Sequence, residues 1–110
     1  MFKINGNKIT LTRGDSFYAV VSLIESTTGH AYTPEEGDVV KFGMKKSPFD
    51  TACLITKTLP NDTLLLYLSP EDTASLQFGA YVYDIEITFA NGDKQTFINN
   101  EPFTLAVEVV

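Results

Sequence analysis

Tyr81-Val82-Tyr83-Asp84-Ile85-Glu86-Ile87-Thr88-Phe89 is the stretch on which the fold turns. Tyr81, Tyr83, Ile85, Ile87 and Phe89 fall at every second position, with Val82, Asp84, Glu86 and Thr88 between them. A strand turns successive side chains to opposite faces, so this period of two makes one apolar face and one polar face. The pattern is that of a half-buried antiparallel strand. Asn91-Gly92 follows, a dipeptide suited to the two positive φ values of a type I′ turn, and residues 94–98 are expected to return as the partner strand of a hairpin.

The same period recurs along the chain. Val40, Phe42 and Met44 alternate with Val39, Lys41, Gly43 and Lys45, and Phe103, Leu105, Val107 and Val109 form a third one-sided run. Ile9 and Leu11 define a short early strand, and Asn5-Gly6 offers a tight turn that pairs residues 2–4 back against it. Residues 17–24 and 64–68 are apolar on both faces. Such strands are central, or covered by a neighbouring segment, or hold surface for a partner. Between the runs lie turn-forming clusters: Arg13-Gly14-Asp15, Thr27-Thr28-Gly29-His30, residues 33–38, Ser47-Pro48-Phe49-Asp50 and Pro60-Asn61-Asp62.

Ser69-Pro70-Glu71-Asp72 is the one helix-start signal, with Ser69 as N-cap, Pro70 at the first helical position and Asp72 three residues after the cap. It predicts a short helical crossover near residues 70–77, ended by Gly79. With about seven or eight strands in 110 residues, the expected fold is an all-β, immunoglobulin-like antiparallel sandwich spanning residues 1–110 as one domain. In that class a tyrosine near the start of the penultimate strand bonds its hydroxyl to the backbone of the preceding corner. Tyr81, two residues after Gly79, is the candidate. Its alternative role, an aromatic ligand platform with Tyr83, is disfavoured because the same face runs on into Ile85, Ile87 and Phe89.

Fourteen acidic residues against eight basic ones give a net charge of −6, which opposes phosphate neutralisation and makes nucleic acid an unsuitable partner. Lys41, Lys45 and Lys46 form the one basic concentration and read as solvated surface. The N-terminal residues lack the apolar stretch of a signal peptide, and no apolar run is long enough to span a membrane. Asn61-Asp62-Thr63 matches a glycosylation sequon, relevant only in a eukaryotic secretory pathway.

Catalysis finds no foothold in the residue pattern. His30, the sole histidine, lies in a turn, and no nucleophile elbow accompanies it. Cys53, the sole cysteine, has the apolar neighbours Ala52, Leu54 and Ile55, which predict a buried structural thiol; it excludes an internal disulfide and, with one histidine, a closed zinc site. Glu35, Glu36 and Asp38, and the pair Asp84 and Glu86, are acidic groups without calcium-loop spacing, expected as solvated faces. Arg13-Gly14-Asp15 spells an adhesion tripeptide but has the chemistry of a tight turn. No catalytic residue, cofactor or metal is therefore expected.

Residues 9–16 (Ile-Thr-Leu-Thr-Arg-Gly-Asp-Ser), Gly29 and Tyr32, residues 37–42 (Gly-Asp-Val-Val-Lys-Phe), residues 66–73 (Leu-Tyr-Leu-Ser-Pro-Glu-Asp-Thr) and residues 79–85 (Gly-Ala-Tyr-Val-Tyr-Asp-Ile) form a spaced series. Over nearly the whole chain this series resembles small immunoglobulin-like proteins of phages and prophages of Gram-positive bacteria, similar to the N-terminal domain of upper baseplate or tail-fibre proteins. The resemblance implies a virion tail or baseplate component that docks other tail proteins, with homo-oligomerisation, no catalytic residues, and a location in the virion tail or, during assembly, the bacterial cytoplasm. The downstream fibre region that such domains often precede has no counterpart here. The competing expectation is a bacterial surface or carbohydrate-binding module using Tyr18, Tyr32 or Phe49.

Overall fold

The computed structural model describes residues 2–25 and 27–108. Eight strands and one short helix follow in order: β1 (Phe2–Asn5), β2 (Lys8–Thr12), β3 (Phe17–Val20), β4 (Val39–Lys45), β5 (Ile55–Leu59), β6 (Leu65–Leu68), α1 (Pro70–Ala74), β7 (Gly79–Thr88) and β8 (Lys94–Ala106). They form a β-rich fold of two sheets, one six-stranded in the order β1-β2-β8-β7-β4-β5, the other β3 with β6.

β7 realises the alternation at 81–89. Tyr81, Tyr83, Ile85 and Ile87 are buried, while Val82, Asp84, Glu86 and Thr88 are half-buried on the opposite face. Each large apolar side chain taken from water stabilises the fold by about 1.5–3 kcal/mol, so four on one strand anchor it between β8 and β4. Phe17 of the small sheet meets Phe103 of the large one at 6.1 Å between ring centroids, and Phe103 meets Phe42 at 6.2 Å and Tyr83 at 6.1 Å. These four rings form the middle of the core.

The large sheet is mixed, which corrects the expectation of an antiparallel fold. β2 runs parallel to β8, from Ile9 opposite Phe103 to Thr12 opposite Ala106. β2 forms a hairpin with β1 across Gly6 (φ +62), then leaves the sheet through a turn in which the Asp15 N–H donates to the Thr12 carbonyl at 3.1 Å. No hairpin fixes its direction against β8. The match of buried Ile9 and Leu11 with buried Phe103 and Leu105 does so instead.

The β7–β8 connection is also not the type I′ turn expected at Asn91-Gly92. Gly92 alone of that pair has positive φ (+95); its N–H donates to the Phe89 carbonyl at 2.9 Å, and the Phe89 N–H donates to the Asp93 carbonyl at 2.7 Å. This is the three-residue loop with glycine at the left-handed position. Asn91 keeps negative φ and uses its side-chain oxygen to accept the Asp93 N–H at 2.9 Å, an Asx turn that competes with the type I′ geometry.

The runs at 94–98 and 103–109 join into one strand, β8, irregular at Asn100 (φ +54), whose N–H donates to Asp84 Oδ1 at 2.6 Å. Val107 lies past β8 and is exposed; Val109 is outside the described residues. The helix is shorter than expected, closing at Ser75, and the Leu76 N–H turns back to the Thr73 carbonyl at 3.0 Å. The early strand at 17–24 likewise ends at Val20, leaving Leu23 buried and Ile24 in an isolated bridge to Ala31.

Candidate interaction surface

Neither strand of the small sheet, Phe-Tyr-Ala-Val in β3 or Leu-Leu-Tyr-Leu in β6, contains a charge or a proline. Register pairs Phe17 with Leu68 and Ala19 with Leu66 on one face, Tyr18 with Tyr67 and Val20 with Leu65 on the other. The first face is core: Phe17, Leu66 and Leu68 are buried. On the second, Tyr18 is 54% exposed, Val20 72% and Tyr67 40%, and the two tyrosine rings lie 4.8 Å apart. An apolar pattern on both faces thus reflects one buried face and one bare face.

Among the described residues β3 pairs with β6 alone. The Val21 N–H donates to the Leu64 carbonyl at 2.9 Å, so the residues in phase with Val21 point their backbone groups at β6. In an antiparallel ladder the alternate residues point theirs away. Tyr18 and Val20 therefore present N–H and C=O groups along an open edge. Beside that edge lies β1, where Phe2 and Ile4 stand opposite the core residues Leu11 and Ile9 but remain 38% and 45% exposed. The Phe2 ring meets Phe17 edge-on at 4.8 Å. Two strands cannot cover six, and the apolar face of β1 is left uncovered.

The other side is closed. β5 contributes Ile55 and Leu59 to the core, and Lys57, in phase with them, reaches Asp72 of α1 at 3.0 Å. Burial pushes the Asp72 carboxyl up, but the Lys57 ammonium and the Ser69 N–H and hydroxyl, at 2.7 and 3.2 Å, outweigh it and hold the group below the usual carboxylate range. An inward charge on an edge strand blocks further pairing, and here it is also neutralised.

This chain matches no protein-family model, no curated protein and no solved structure. Its function must be read from the geometry of its own residues.

The residues singled out in the sequence do not converge on one site. Ser69 and Pro70 open α1. Gly79 (φ +135) starts β7, and the Tyr81 hydroxyl donates to the Gln77 carbonyl at 2.7 Å, across the corner leading into β7. Asn91 and Gly92 lie at the opposite end, in the β7–β8 loop. Arg13 ties its turn to the end of α1, donating to the Leu76 carbonyl at 3.0 Å and pairing with Glu108 at 2.9 Å, its guanidinium 4.1 Å from the Phe78 ring centroid. His30 is exposed.

Two expectations about side chains are overturned. Cys53 is exposed rather than buried: the loop before β5 folds across the outer face of the large sheet, setting the thiol above Gly43, where an added Cβ would lie 3.0 Å from Sγ. Asp38 is buried rather than part of a solvated acidic face. It accepts the Tyr32 hydroxyl at 2.6 Å, the Glu35 N–H at 2.9 Å and the Ala90 N–H at 3.2 Å. The Tyr32 hydroxyl and these N–H groups hold Asp38 below the ordinary carboxylate range. The same bond, with burial and the nearby carboxylates, pushes Tyr32 up to about 12. Asn61 of the sequon donates to the carbonyls of Asp38 and Glu35 at 2.9 and 3.2 Å.

Clefts open at two places among the described residues. One of about 260 Å³ lies on the outer face of the large sheet, where Lys41, Lys45, Asp84, Glu86 and Cys53 line it. The other, about 470 Å³, lies at the loop end, walled by Tyr32, Phe89, Phe97 and Ile24 with Glu25 and Gln95. Phe49, 91% exposed, lines neither.

No described helix is long and apolar enough to cross a membrane, and no cluster of three metal-ligating side chains occurs among the described residues.

Proposed function

We propose that this chain is a non-enzymatic structural protein of a phage or prophage tail or baseplate, built on an immunoglobulin-like sandwich and acting through protein–protein assembly. The observation that carries the reading is the charge-free outer face of β3 and β6 beside an open strand edge, in a chain of net charge −6. Bare apolar faces of this kind mark protein contact surfaces, and unguarded edges invite pairing with another chain. Two features support the immunoglobulin-like element. The neighbour order β8-β7-β4-β5 facing β3-β6 corresponds to a G-F-C-C′ sheet over a B-E sheet, and the Tyr81–Gln77 bond has the form of a tyrosine corner.

The test is binding to the tail and baseplate proteins encoded by the adjacent genes, measured with purified components. Wild type binds at least one of them, and the double variant Tyr18→Lys/Tyr67→Lys loses that binding while keeping its circular-dichroism spectrum. Failure to bind any of them overturns the reading. The aromatic cleft at Tyr32, Phe89 and Phe97 favours a second reading, a carbohydrate-binding module of a bacterial surface; a glycan array with hits that Phe97→Ala abolishes would select it.

A further inference from the structure

We infer that Asn5-Gly6, at the turn between β1 and β2, is a site of spontaneous modification where Asn5 converts to aspartate and isoaspartate, while the fold keeps the chemically identical Asn91-Gly92 intact. The inference does not depend on the assembly reading.

Both pairs carry the same reaction. The glycine nitrogen gives its proton to hydroxide and attacks Cγ of the preceding asparagine. A C–N bond forms, and the side-chain nitrogen takes a proton from water and leaves as ammonia, restoring the hydroxide. A cyclic imide remains. Water then opens it at the side-chain carbonyl to give aspartate, or at the backbone carbonyl to give isoaspartate, whose extra methylene lies in the main chain. Glycine favours the attack because no Cβ shields its nitrogen. The two sites are matched in this respect: all four residues are exposed, and a Cβ added to Gly6 or Gly92 would meet nothing within 4 Å.

What differs is the hydrogen bonding. In the β7–β8 loop the Gly92 N–H donates to the Phe89 carbonyl at 2.9 Å, and Asn91 Oδ1 accepts the Asp93 N–H at 2.9 Å. Nucleophile and electrophile are each held, and both must be released before the ring can close. At the β1–β2 turn, among the described residues, no hydrogen bond takes up the Gly6 N–H or the Asn5 side chain. The loop type explains this. Asn5 pairs with Lys8 across a two-residue turn, and such a turn leaves the N–H of its first central residue to water. The tie of this turn to the core comes after the reactive bond, where the Tyr83 hydroxyl donates to the Asn7 carbonyl at 2.5 Å. Every residue of β1 is exposed, so the end pair of the hairpin opens readily and lets the Asn5–Gly6 peptide rotate into line.

The consequence falls on β1. Isoaspartate lengthens the main chain at a turn that has room for two residues only. β1 is otherwise held by its pairing with β2 and by the Phe2 ring against Phe17 at 4.8 Å, so modification loosens this strand first.

Peptide mapping of the full chain, aged in mildly alkaline buffer, tests the inference by mass spectrometry with fragmentation that separates aspartate from isoaspartate. In the folded chain, residue 5 converts about tenfold or more faster than residue 91, where two hydrogen bonds must open first. In concentrated urea the two rates converge. Asn5→Ser abolishes the conversion at residue 5 and leaves the slow one at residue 91. Amide exchange of the aged protein quickens in β1 and is unchanged in β7. Equal rates in the folded chain, or faster conversion at residue 91, overturn the inference. So does a ratio that persists in urea, because the difference then belongs to the local sequence and not to the fold. Isoaspartate at residue 5 with unaltered exchange in β1 overturns the consequence assigned to it.

Discussion

The two flanks of the fold face the same problem and meet it differently. On the β5 flank, the inward position between Ile55 and Leu59 is Lys57, and its ammonium closes the gap to α1 by pairing with Asp72. On the β1 flank the inward positions are Phe2 and Ile4, and beyond them β3 ends in an unpaired edge. A charged stopper ends one flank and bare apolar surface ends the other. A flank is finished either by a charge that must find its counter-ion within the fold, or by a surface that is covered only when something else arrives.

The largest effect that separates the flanks is truncation of their apolar residues. Leu59→Ala, at a position 2% exposed, lowers unfolding free energy by about 2–4 kcal/mol, whereas Ile4→Ala, already half in water, costs less than about 1 kcal/mol. Urea unfolding of the two variants measures the difference, and equal losses would erase the distinction. Asp72→Ala removes the counter-ion of Lys57 and the acceptor of the Ser69 N–H together, and costs about 1–2 kcal/mol in the same assay.

Acid sharpens the comparison. The folded carboxyls of Asp72 and Asp38 both titrate below their unfolded value of 3.8. Their stabilisation is fully present above that value and is lost as pH falls through the folded pKa. Asp72→Asn therefore flattens the acid limb of the stability curve from the closed flank, and Asp38→Asn does so from the loop end, as thermal unfolding between neutral pH and pH about 2 records. At the alkaline end the sign reverses for Tyr32. Its folded pKa of about 12 exceeds the ordinary tyrosine value of 10.0, so its stabilisation holds below the latter and disappears as pH rises through the former. Tyr81→Phe leaves the ring in the core and removes only the bond to Gln77, and costs about 1 kcal/mol in urea unfolding.

Much of this fold was legible because strand periodicity is local. β4 and β7 follow from alternation, and the start of α1 from Ser69-Pro70-Glu71-Asp72. Partner choice was not legible in the same way. The parallel meeting of β2 with β8 depends on residues from opposite ends of the chain, and no short-range pattern encodes direction. Cys53 misled because apolar neighbours imply burial only when the segment lies under a sheet, and this one lies over it. Asp38 misled because Glu35, Glu36 and Asp38 look equivalent in sequence; only the fold brings Tyr32 and Ala90 to one of them. For the interaction surface, the two-sided apolar character of residues 17–20 and 65–68 carried the signal. Which face stayed bare depended on how few strands cover the large sheet.

The position of β2 also sets an order of events. It lies between β1 and β8, and its far-side hydrogen bonds are supplied by a strand at residues 94–106. As the chain emerges from a ribosome, the hairpin of β1 and β2 has nowhere to dock until β8 follows it, and the loop closed by that contact is among the longest available to the chain. Folding is therefore completed only once β8 has been made, with the apolar residues of the first hairpin waiting on it.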